Sequence, residues 1–338
     1  MMNLRDEQTI IKSWSCDKDI IVSVDCTAFN HEKFIQQALD GFLSQKTSFP
    51  IEILVHDDAS TDNTAVIIQE YEKKYPRLIR PIYQTENQYS KGARISFDYQ
   101  FPRARGKYIA ICEGDDYWTD PNKLQMQVDF LESHPDYSMC FHGAEEQNEE
   151  NLYTDSEHNL VQDKDYTAED LLDHWIIPTA SIVMRRESAC YPLKNPSKIV
   201  YGDYFIFFSC LALGKVRGFS RKMSVYRVNQ NSITHNPKYK KNIILKMPDN
   251  WECFKENFPF APQHAVNKIL AFYYWQRASY QPTLKQSLND RKKAFSTAPL
   301  VAFLMIFRPA VMCGISFLSK YFGGAKIRGL VRKVTSKV

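Results

Sequence analysis

Short apolar runs alternate with longer segments of helical spacing between residues 20 and 141. The apolar runs are rich in β-branched residues and predict buried strands at residues 20–24, 51–55, 78–83, 108–112 and 137–141. Apolar positions that recur every three or four residues predict the helices between them, at residues 34–44, 64–74, 94–104 and 123–133. This alternation is typical of an α/β fold, in which a mostly parallel sheet is flanked by helices on both faces.

The pattern changes in the second half of the chain. Residues 143–165 are polar and acidic, which predicts a surface loop. Short strands at 181–184 and 225–228 lie on either side of a predicted helix at 203–213, and from about residue 242 the spacing is helical. We therefore expect four parts: an N-terminal extension at 1–19, the α/β domain at 20–235, a C-terminal helical region at 236–297 and a tail at 298–338.

Three polar clusters follow directly after predicted strands. They are Thr27-Ala28-Phe29-Asn30, His56-Asp57-Asp58 and Glu113-Gly114-Asp115-Asp116. Because ligands of open α/β sheets bind outside the carboxyl ends of the strands, these clusters predict a binding site on one rim of the sheet.

Adjacent carboxylates occur in two of these clusters. Asp115 and Asp116 repel each other unless a cation lies beside them, and Mg²⁺ or Mn²⁺ is the usual partner of carboxylate oxygens. The alternative is a solvated turn without a metal. Asp57 and Asp58 offer acceptors for a nucleobase imide or a ribose, or they belong to a polar loop with Asp62 as a helix cap.

Charge is distributed unevenly along the chain. The net charge of +4 gives no reason to expect a nucleic acid partner. No Asp or Glu follows Asp290, and the strongly apolar segment 298–318 is interrupted by Arg308-Pro309. We expect this tail to lie on an anionic membrane surface as two short helices. Packing on the main domain, or a solvated basic tail, is the alternative.

Cysteine usage and the N-terminus bear on the cellular compartment. The eight cysteines are scattered and include no CxxC pair, which is typical of reduced thiols in a cytosolic protein. The first 19 residues contain no apolar signal core. We therefore expect a cytoplasmic protein, located at the inner face of the cytoplasmic membrane if the tail binds lipid.

Three segments resemble motifs of the family 2 glycosyltransferases, which have the Rossmann-like GT-A fold. IVSVDCTAFN at residues 21–30 is similar to the opening strand of the family, HDDASTDNT at 56–64 to its DDGSTDGT motif, and RGKYIAICEGDD at 105–116 to the strand that leads into its DxDD motif. The order and spacing of the motifs also agree, over roughly residues 20–230. Ala59 replaces the usual glycine of the second motif.

The resemblance implies how a nucleotide would be bound. Thr27 and Asp58 would hold the nucleobase, and Phe29 and Asn30 would line the same pocket. Asp57, in the same acidic run, would supply a further acceptor to the nucleotide sugar.

The resemblance also implies a metal site. Asp115 would face the ribose, and Asp116 would bind the Mn²⁺ or Mg²⁺ that bridges the diphosphate. Glu113 stands where the family has an Asp, so it would reach the metal through water or not at all. His235 would be a further metal or diphosphate ligand, or a surface histidine without a role.

Inverting transfer needs a base that takes the proton of the acceptor hydroxyl. Tyr201-Gly202-Asp203 resembles the Glu-Asp motif of the family, with Gly202 in place of the Glu. Asp203 is therefore the expected base, and the alternative is that it caps the helix at 203–213.

These implications together predict an inverting glycosyltransferase. Its donor would be a nucleotide diphosphate sugar, with uridine the commonest base in the family, and its acceptor a glycan or lipid-linked glycan of a cell-surface polysaccharide. A degenerate scaffold that binds glycans without turnover is one alternative. A metal-dependent phosphohydrolase is another, although the aspartyl nucleophile and lysine arrangement that it requires do not stand out in the sequence.

Overall fold

The computed structural model of the protein describes residues 4–15, 19–148, 150, 152–228, 237–303 and 305. The chain forms two compact units, of which the first comprises Met1–Leu193 and Tyr201–His235 and the second Lys194–Val200 and Asn236–Val338. The boundaries of the four parts expected from the sequence stay a prediction.

Nine strands in the described part of the first unit form one sheet. The strands are β1 (Val22–Ala28), β2 (Ile51–Asp57), β3 (Ile79–Tyr83), β4 (Tyr108–Ile111), β5 (Tyr117–Trp118), β6 (Tyr137–Gln147), β7 (Tyr153–Thr154), β8 (Val183–Arg185) and β9 (Lys215–Arg227). Their order is β3-β2-β1-β4-β8-β6-β9-β5, and β7 pairs with β6. The expected α/β class is confirmed.

The sheet has a parallel half and a mixed half. Strands β3, β2, β1 and β4 run parallel, as the alternation of strands and helices predicts. Strand β8 runs antiparallel to both β4 and β6, and β5 runs antiparallel to β9, whereas β6 and β9 are parallel. The reversal at β8 could not be read from the sequence, because a strand of three residues gives no indication of its direction.

Helices cover the sheet and continue into the second unit. In the first unit they are α1 (Glu7–Lys12), α2 (Ile35–Leu43), α3 (Thr64–Lys74), α4 (Phe101–Arg103), α5 (Lys123–Ser133), α6 (Ala168–Asp173), α7 (Arg186–Ala189) and α8 (Asp203–Leu213). In the second unit they are α9 (Pro237–Asn257), α10 (Gln263–Ala278) and α11 (Leu284–Thr297). The helix predicted at 94–104 is a π-helical turn at Ser96–Gln100 that leads into α4.

Two strands are longer than the sequence predicts. Strand β6 continues through residues 143–147, where the sequence predicts a surface loop, and β9 begins ten residues before the strand predicted at 225–228. The acidic residues of this stretch have partners on neighbouring strands. Lys222 donates to Glu145 at 3.0 Å, and the Thr154 hydroxyl donates to Glu146 at 2.8 Å. Cross-strand pairs of this kind allow a polar sequence to form a strand.

An aromatic contact in the core fixes the chain that follows the acidic cluster. The rings of Phe42 on α2 and Trp118 on β5 pack edge to face with centroids 4.7 Å apart, and Trp118 is fully buried. The indole N–H of Trp118 donates to the Ala180 carbonyl at 2.7 Å. This contact joins β5 to α2 and to the turn before β8, so it holds the residues just beyond Asp116 in place.

The second unit neutralises the last acidic residue of the sequence. Asp290 on α11 is buried and accepts hydrogen bonds from Arg277 at 2.8 and 2.9 Å. Beyond it, Leu300 and Phe303 are 59% and 52% exposed. Residues 306–338 of the predicted tail lie outside the described residues. Among the helices of the described ranges, none is long and apolar enough to cross a membrane.

Candidate active site

Backbone hydrogen bonds bring the three polar clusters to one rim of the sheet. The amide of Gly114 donates to the Thr27 carbonyl at 2.9 Å, and the amide of Asp58 donates to the Ala28 carbonyl at 2.9 Å. Thr27 is the residue of β1 whose side chain is not fully buried. The carboxyl ends of β1, β2 and β4 therefore lie side by side, as the parallel register requires.

The loops after β1 and β2 hold each other. Asn30 has a left-handed backbone with φ of 57°, its amide donates to Ser60 Oγ at 2.9 Å, and its side-chain oxygen accepts the Thr61 amide at 2.8 Å. The ring of Phe29 is 43% exposed. The Asn30 side chain thus joins the two loops, and Phe29 presents an open ring beside them.

The two carboxylates at the end of β2 differ in their contacts. Both oxygens of Asp58 accept backbone amides, from Gln88 at 2.7 Å and from Tyr89 at 3.0 Å, and so hold the turn at Tyr89–Lys91. Asp57 accepts the Ser60 amide at 3.3 Å through Oδ2. Its Oδ1 is buried and has no partner in the described part of the chain. Asp57 therefore has fewer hydrogen bonds than Asp58. Burial raises the pKa of Asp57.

The acidic cluster after β4 holds three carboxylates that repel one another. Burial, followed by the charges of Asp115 and Glu113, raises the pKa of Asp116 well above its ordinary value. Burial and the charges of Asp203 and Asp115 raise the pKa of Glu113 to about 8. The Thr179 hydroxyl donates to Glu113 at 2.9 Å. A cation at this position would relieve the repulsion.

Gly114 has no room for a side chain. A Cβ atom on this residue would lie 2.9 Å from Ile35 Cδ1, 3.0 Å from His31 Nδ1 and 3.2 Å from Ala28 Cβ. The close approach of β1 and α2 therefore requires glycine within the acidic cluster. The ring of His31 lies 3.8 Å from Asp115 Oδ2, measured from Nε2.

Arg227, at the end of β9, completes the rim, although no role in the site was predicted for it from the sequence. Its backbone amide donates to Asp116 Oδ1 at 2.8 Å, and its guanidinium donates to the Asp115 carbonyl. The guanidinium lies over the rings of Tyr117 and Phe34, 4.4 and 5.1 Å from their centroids. Only the tertiary fold could show this, because 111 residues separate Arg227 from Asp116.

Asp203 is the first residue of α8, and Gly202 occupies the N-cap position. The alternative that Asp203 caps this helix is therefore not observed. Within the described ranges, its carboxylate has no hydrogen bond or ion pair. Burial raises the pKa of Asp203 to about 6, and its charge raises the pKa of Glu113, so the two carboxyl groups interact electrostatically. A Cβ on Gly202 would lie 2.8 Å from Phe97, which explains the absence of the glutamate found in the resembling motif.

The residues of the rim fit a metal ion that is shared with a ligand. Among the described residues, no three His, Cys, Asp or Glu side chains are grouped so that they could hold an ion by themselves. Asp116 and Asp115 nevertheless form a pair of carboxylates whose negative charges repel each other. A divalent ion with phosphate oxygens as further ligands suits such a pair. His235, the other expected ligand, lies outside the described residues.

Comparison with known proteins identifies the family. The model of glycosyl transferase family 2 matches residues 23–190. The chain belongs to glycosyl transferase family 2 over this segment. The family 2 segment contains the acidic cluster and both loops of the rim, whereas Asp203 and Arg227 lie beyond it.

Several relatives resemble this chain over about 215 residues. An uncharacterized protein of Mycobacterium tuberculosis is 37% identical over 64% of this chain and 61% of its own length. The chain thus spans about three fifths of the length of this relative. The putative teichuronic acid biosynthesis glycosyltransferase TuaG of Bacillus subtilis is 28% identical over 64% of this chain and 82% of its own. The β-1,3-glucosyltransferase WfgD of Escherichia coli, which uses UDP-Glc and α-D-GlcNAc-diphosphoundecaprenol, is 28% identical over 64% and 81%.

Solved structures support the fold. TarS 1–349 of S. aureus in complex with UDP-GlcNAc superimposes with a TM-score of 0.60 at 15% identity, over 84% of this chain and 83% of its own. The mannosyltransferase PcManGT of Pyrobaculum calidifontis, in complex with GDP-Man and Mn²⁺, gives 0.55 at 15% identity, over 97% and 85%. At this level of identity the likeness concerns the GT-A-type architecture alone.

The backbone at Ala59 leads to a stability prediction. Ala59 has φ of 61°, a left-handed conformation in which a Cβ is unfavourable and glycine is not. Ala59→Gly should raise the free energy of unfolding by about 0.5–1 kcal/mol. Chemical denaturation would measure this change. The control is Ala38→Gly on helix α2, which should lower the same quantity by at least about 1 kcal/mol, because glycine disfavours the helix and the buried Cβ is lost. Equal losses in both variants would contradict the assignment of strain at Ala59.

Proposed function

We propose that this protein is an inverting glycosyltransferase that moves a sugar from a nucleotide diphosphate donor, most simply a UDP-sugar, to a glycan or lipid-linked glycan during synthesis of a cell-surface polysaccharide. The observation that carries this proposal is that a pair of mutually repelling carboxylates and a carboxylate without a hydrogen-bonding partner interact at one rim of the sheet. Asp116 and Asp115 form a cation-demanding pair, and Asp203 stands close by without a hydrogen-bonding partner in the described part of the chain. The printed names of TuaG and WfgD support the polysaccharide context.

In this proposal the loops after β1 and β2 bind the nucleotide. Phe29 stacks on the base through its exposed ring, and Thr27 lies on the rim beside it. Asp57 accepts a hydrogen bond from the nucleobase, because one of its carboxylate oxygens has no other partner in the described residues. Both oxygens of Asp58 already accept backbone amides, from Gln88 and Tyr89. Asp58 and Asn30 then act by shaping the pocket. This refines the roles that the sequence implies, where Asp58 is the direct contact.

Asp116 would hold the divalent metal, with Asp115 toward the ribose. Mn²⁺ or Mg²⁺, if held there, would supply positive charge against the diphosphate as it departs. The Arg227 amide orients the Asp116 carboxylate, and the Arg227 guanidinium braces the backbone at Asp115. Glu113 accepts the Thr179 hydroxyl instead and is not assigned a direct metal contact.

Asp203 is the general base. It takes the proton of the acceptor hydroxyl while the oxygen attacks the anomeric carbon on the face opposite the diphosphate, which inverts the configuration of that carbon. A base works best when its pKa lies near the working pH, and a value of about 6 leaves Asp203 ionised at neutral pH.

The metal assignment predicts a loss of donor binding. Asp116→Asn should weaken Mn²⁺-dependent binding of UDP by at least ~10-fold, because the amide cannot supply the carboxylate charge. Isothermal titration with and without Mn²⁺ would measure this. Asp129→Asn, an exposed change on helix α5, is the matched control and should bind as the parent does. Unaltered metal-dependent binding by Asp116→Asn would refute the assignment.

The base assignment predicts both a rate and a pH profile. Asp203→Asn should lower kcat by roughly 10²–10⁴-fold and leave UDP affinity unchanged. In the parent protein, kcat should fall as the pH drops below about 6, because the protonated carboxyl cannot accept a proton. The residual activity of Asp203→Asn should lack this acidic limb. Near-normal turnover in that variant would mean that another group is the base.

We also propose that the C-terminal tail associates with the inner face of the cytoplasmic membrane. The sequence after Asp290 has no acidic residue, and Leu300 and Phe303 are exposed next to it. Basic residues beside exposed apolar side chains favour an anionic lipid surface. A cytoplasmic enzyme placed there would meet a lipid-linked acceptor directly.

The membrane proposal is tested by flotation with vesicles. The parent protein should bind phosphatidylglycerol vesicles more than phosphatidylcholine vesicles, and added salt should weaken this binding. The double variant Leu300→Gln and Phe303→Gln should lose about tenfold in partition, since each side chain contributes apolar burial. Val66→Gln, an equally exposed position on α3, should have no effect. A parent protein that does not float with anionic vesicles would end the proposal.

A further inference from the structure

An aromatic cluster in the first unit includes an exposed tryptophan. Trp175 is 40% exposed and lies between α6 and the 3₁₀ turn at Thr179–Ser181. Its ring meets Tyr204 edge to face at 5.1 Å and lies 6.4 Å from Phe207. Phe207 is buried, so the cluster is anchored in the core while the tryptophan remains open to solvent.

The cluster is connected to the proposed active site on two sides. Tyr204 follows Asp203 directly on α8, and Phe207 lies one helical turn beyond Asp203 on the same face. In the other direction, three residues separate Trp175 from Thr179, whose hydroxyl donates to Glu113. Trp175 is therefore held near the base by its ring contacts and near the acidic cluster by the chain itself.

The position of the cluster indicates which part of an acceptor it would contact. The hydroxyl that loses its proton to Asp203 belongs to the sugar at the end of the acceptor, so that sugar occupies the space next to Asp203. A pyranose ring presents a face of C–H groups that packs on an aromatic ring, and binding sites commonly use exposed Trp and Tyr in this way. A lipid chain on the same acceptor would lie further from the reacting hydroxyl.

We propose that Trp175, supported by Tyr204, is the stacking platform for the terminal pyranose of the acceptor. This inference rests on the proposed transferase function and names the substrate class that the acceptor side takes. Trp175 binds and orients the acceptor, whereas the loops after β1 and β2 bind the donor.

The test compares transfer with hydrolysis of the donor. UDP-glucose, UDP-N-acetylglucosamine and GDP-mannose are offered with Mn²⁺, together with undecyl diphosphates of N-acetylglucosamine, N-acetylgalactosamine or glucose as acceptors. The pair that the parent protein uses fastest is then applied to Trp175→Ala, Trp175→Phe and the control Leu213→Ala. Leu213 is 50% exposed at the far end of α8. Donor hydrolysis is measured without acceptor, and UDP affinity reports on folding.

The expected result is specific to the acceptor. Trp175→Ala should raise the KM for the acceptor and lower the ratio of transfer to hydrolysis by ~10-fold or more, the usual effect of losing an aromatic anchor. Hydrolysis and UDP affinity should stay within about twofold of the parent. Trp175→Phe should recover most of the ratio, and Leu213→Ala should match the parent.

Three results would overturn the inference without rejecting the transferase function. An unchanged acceptor KM in Trp175→Ala would show that the ring does not contact the acceptor. A parallel fall in hydrolysis and transfer would mean that the residue serves the fold or the donor. A parent protein that hydrolyses a donor but uses none of these acceptors would contradict a terminal pyranose on a lipid diphosphate. Absence of both hydrolysis and transfer in the parent would instead reject the transferase function, and the inference with it.

Discussion

Repulsion among carboxylates is the constraint on which the rest of this site depends. Glu113, Asp115 and Asp116 lie within a run of four residues after a buried strand. The charge of Asp115 raises the pKa of both Glu113 and Asp116, and the charge of Glu113 raises that of Asp116 further. The fold supplies a hydrogen bond to Glu113 from Thr179 and a backbone amide to Asp116 from Arg227. Both partners come from distant parts of the chain, so the second half of the sheet must be in place before the acidic cluster can be held.

The sequence predicts the first half of the fold well because its strands are buried on both faces. Runs that are apolar at four of five positions, such as residues 20–24 and 51–55, favour buried strands, and the helices between the strands show clear spacing. The second half is harder to predict. Residues 143–147 are polar enough to suggest a loop, yet they form a strand because Lys222 and Thr154 pair with them. Such pairing depends on tertiary neighbours, which local composition does not contain.

The site shows a similar division. Parallel register brings the ends of β1, β2 and β4 to one rim, so the convergence of the three polar clusters that follow these strands could be inferred from the order of strands and motifs. The hydrogen bonds that each side chain makes could not be inferred in this way. Asp58 and Asn30 have polar groups suited to a ligand, but the loops consume them in backbone hydrogen bonds. No role was predicted for Arg227, which acquires one through the antiparallel pairing of β9 with β5.

The reversal of strand direction at β8 has a consequence for how such a protein can diversify. Groups assigned to the donor come from the parallel strands and their loops, whereas Asp203 and Trp175 come from the chain on the other side of that reversal. One hydrophobic core extends across both sides, and the two sides meet where β4 pairs with β8. Insertions or exchanges between α6 and Thr179 can remodel the acceptor side while Thr179 keeps its hydrogen bond to Glu113. New linkages in a polymer could arise in this way without a change in the activated sugar that the cell supplies.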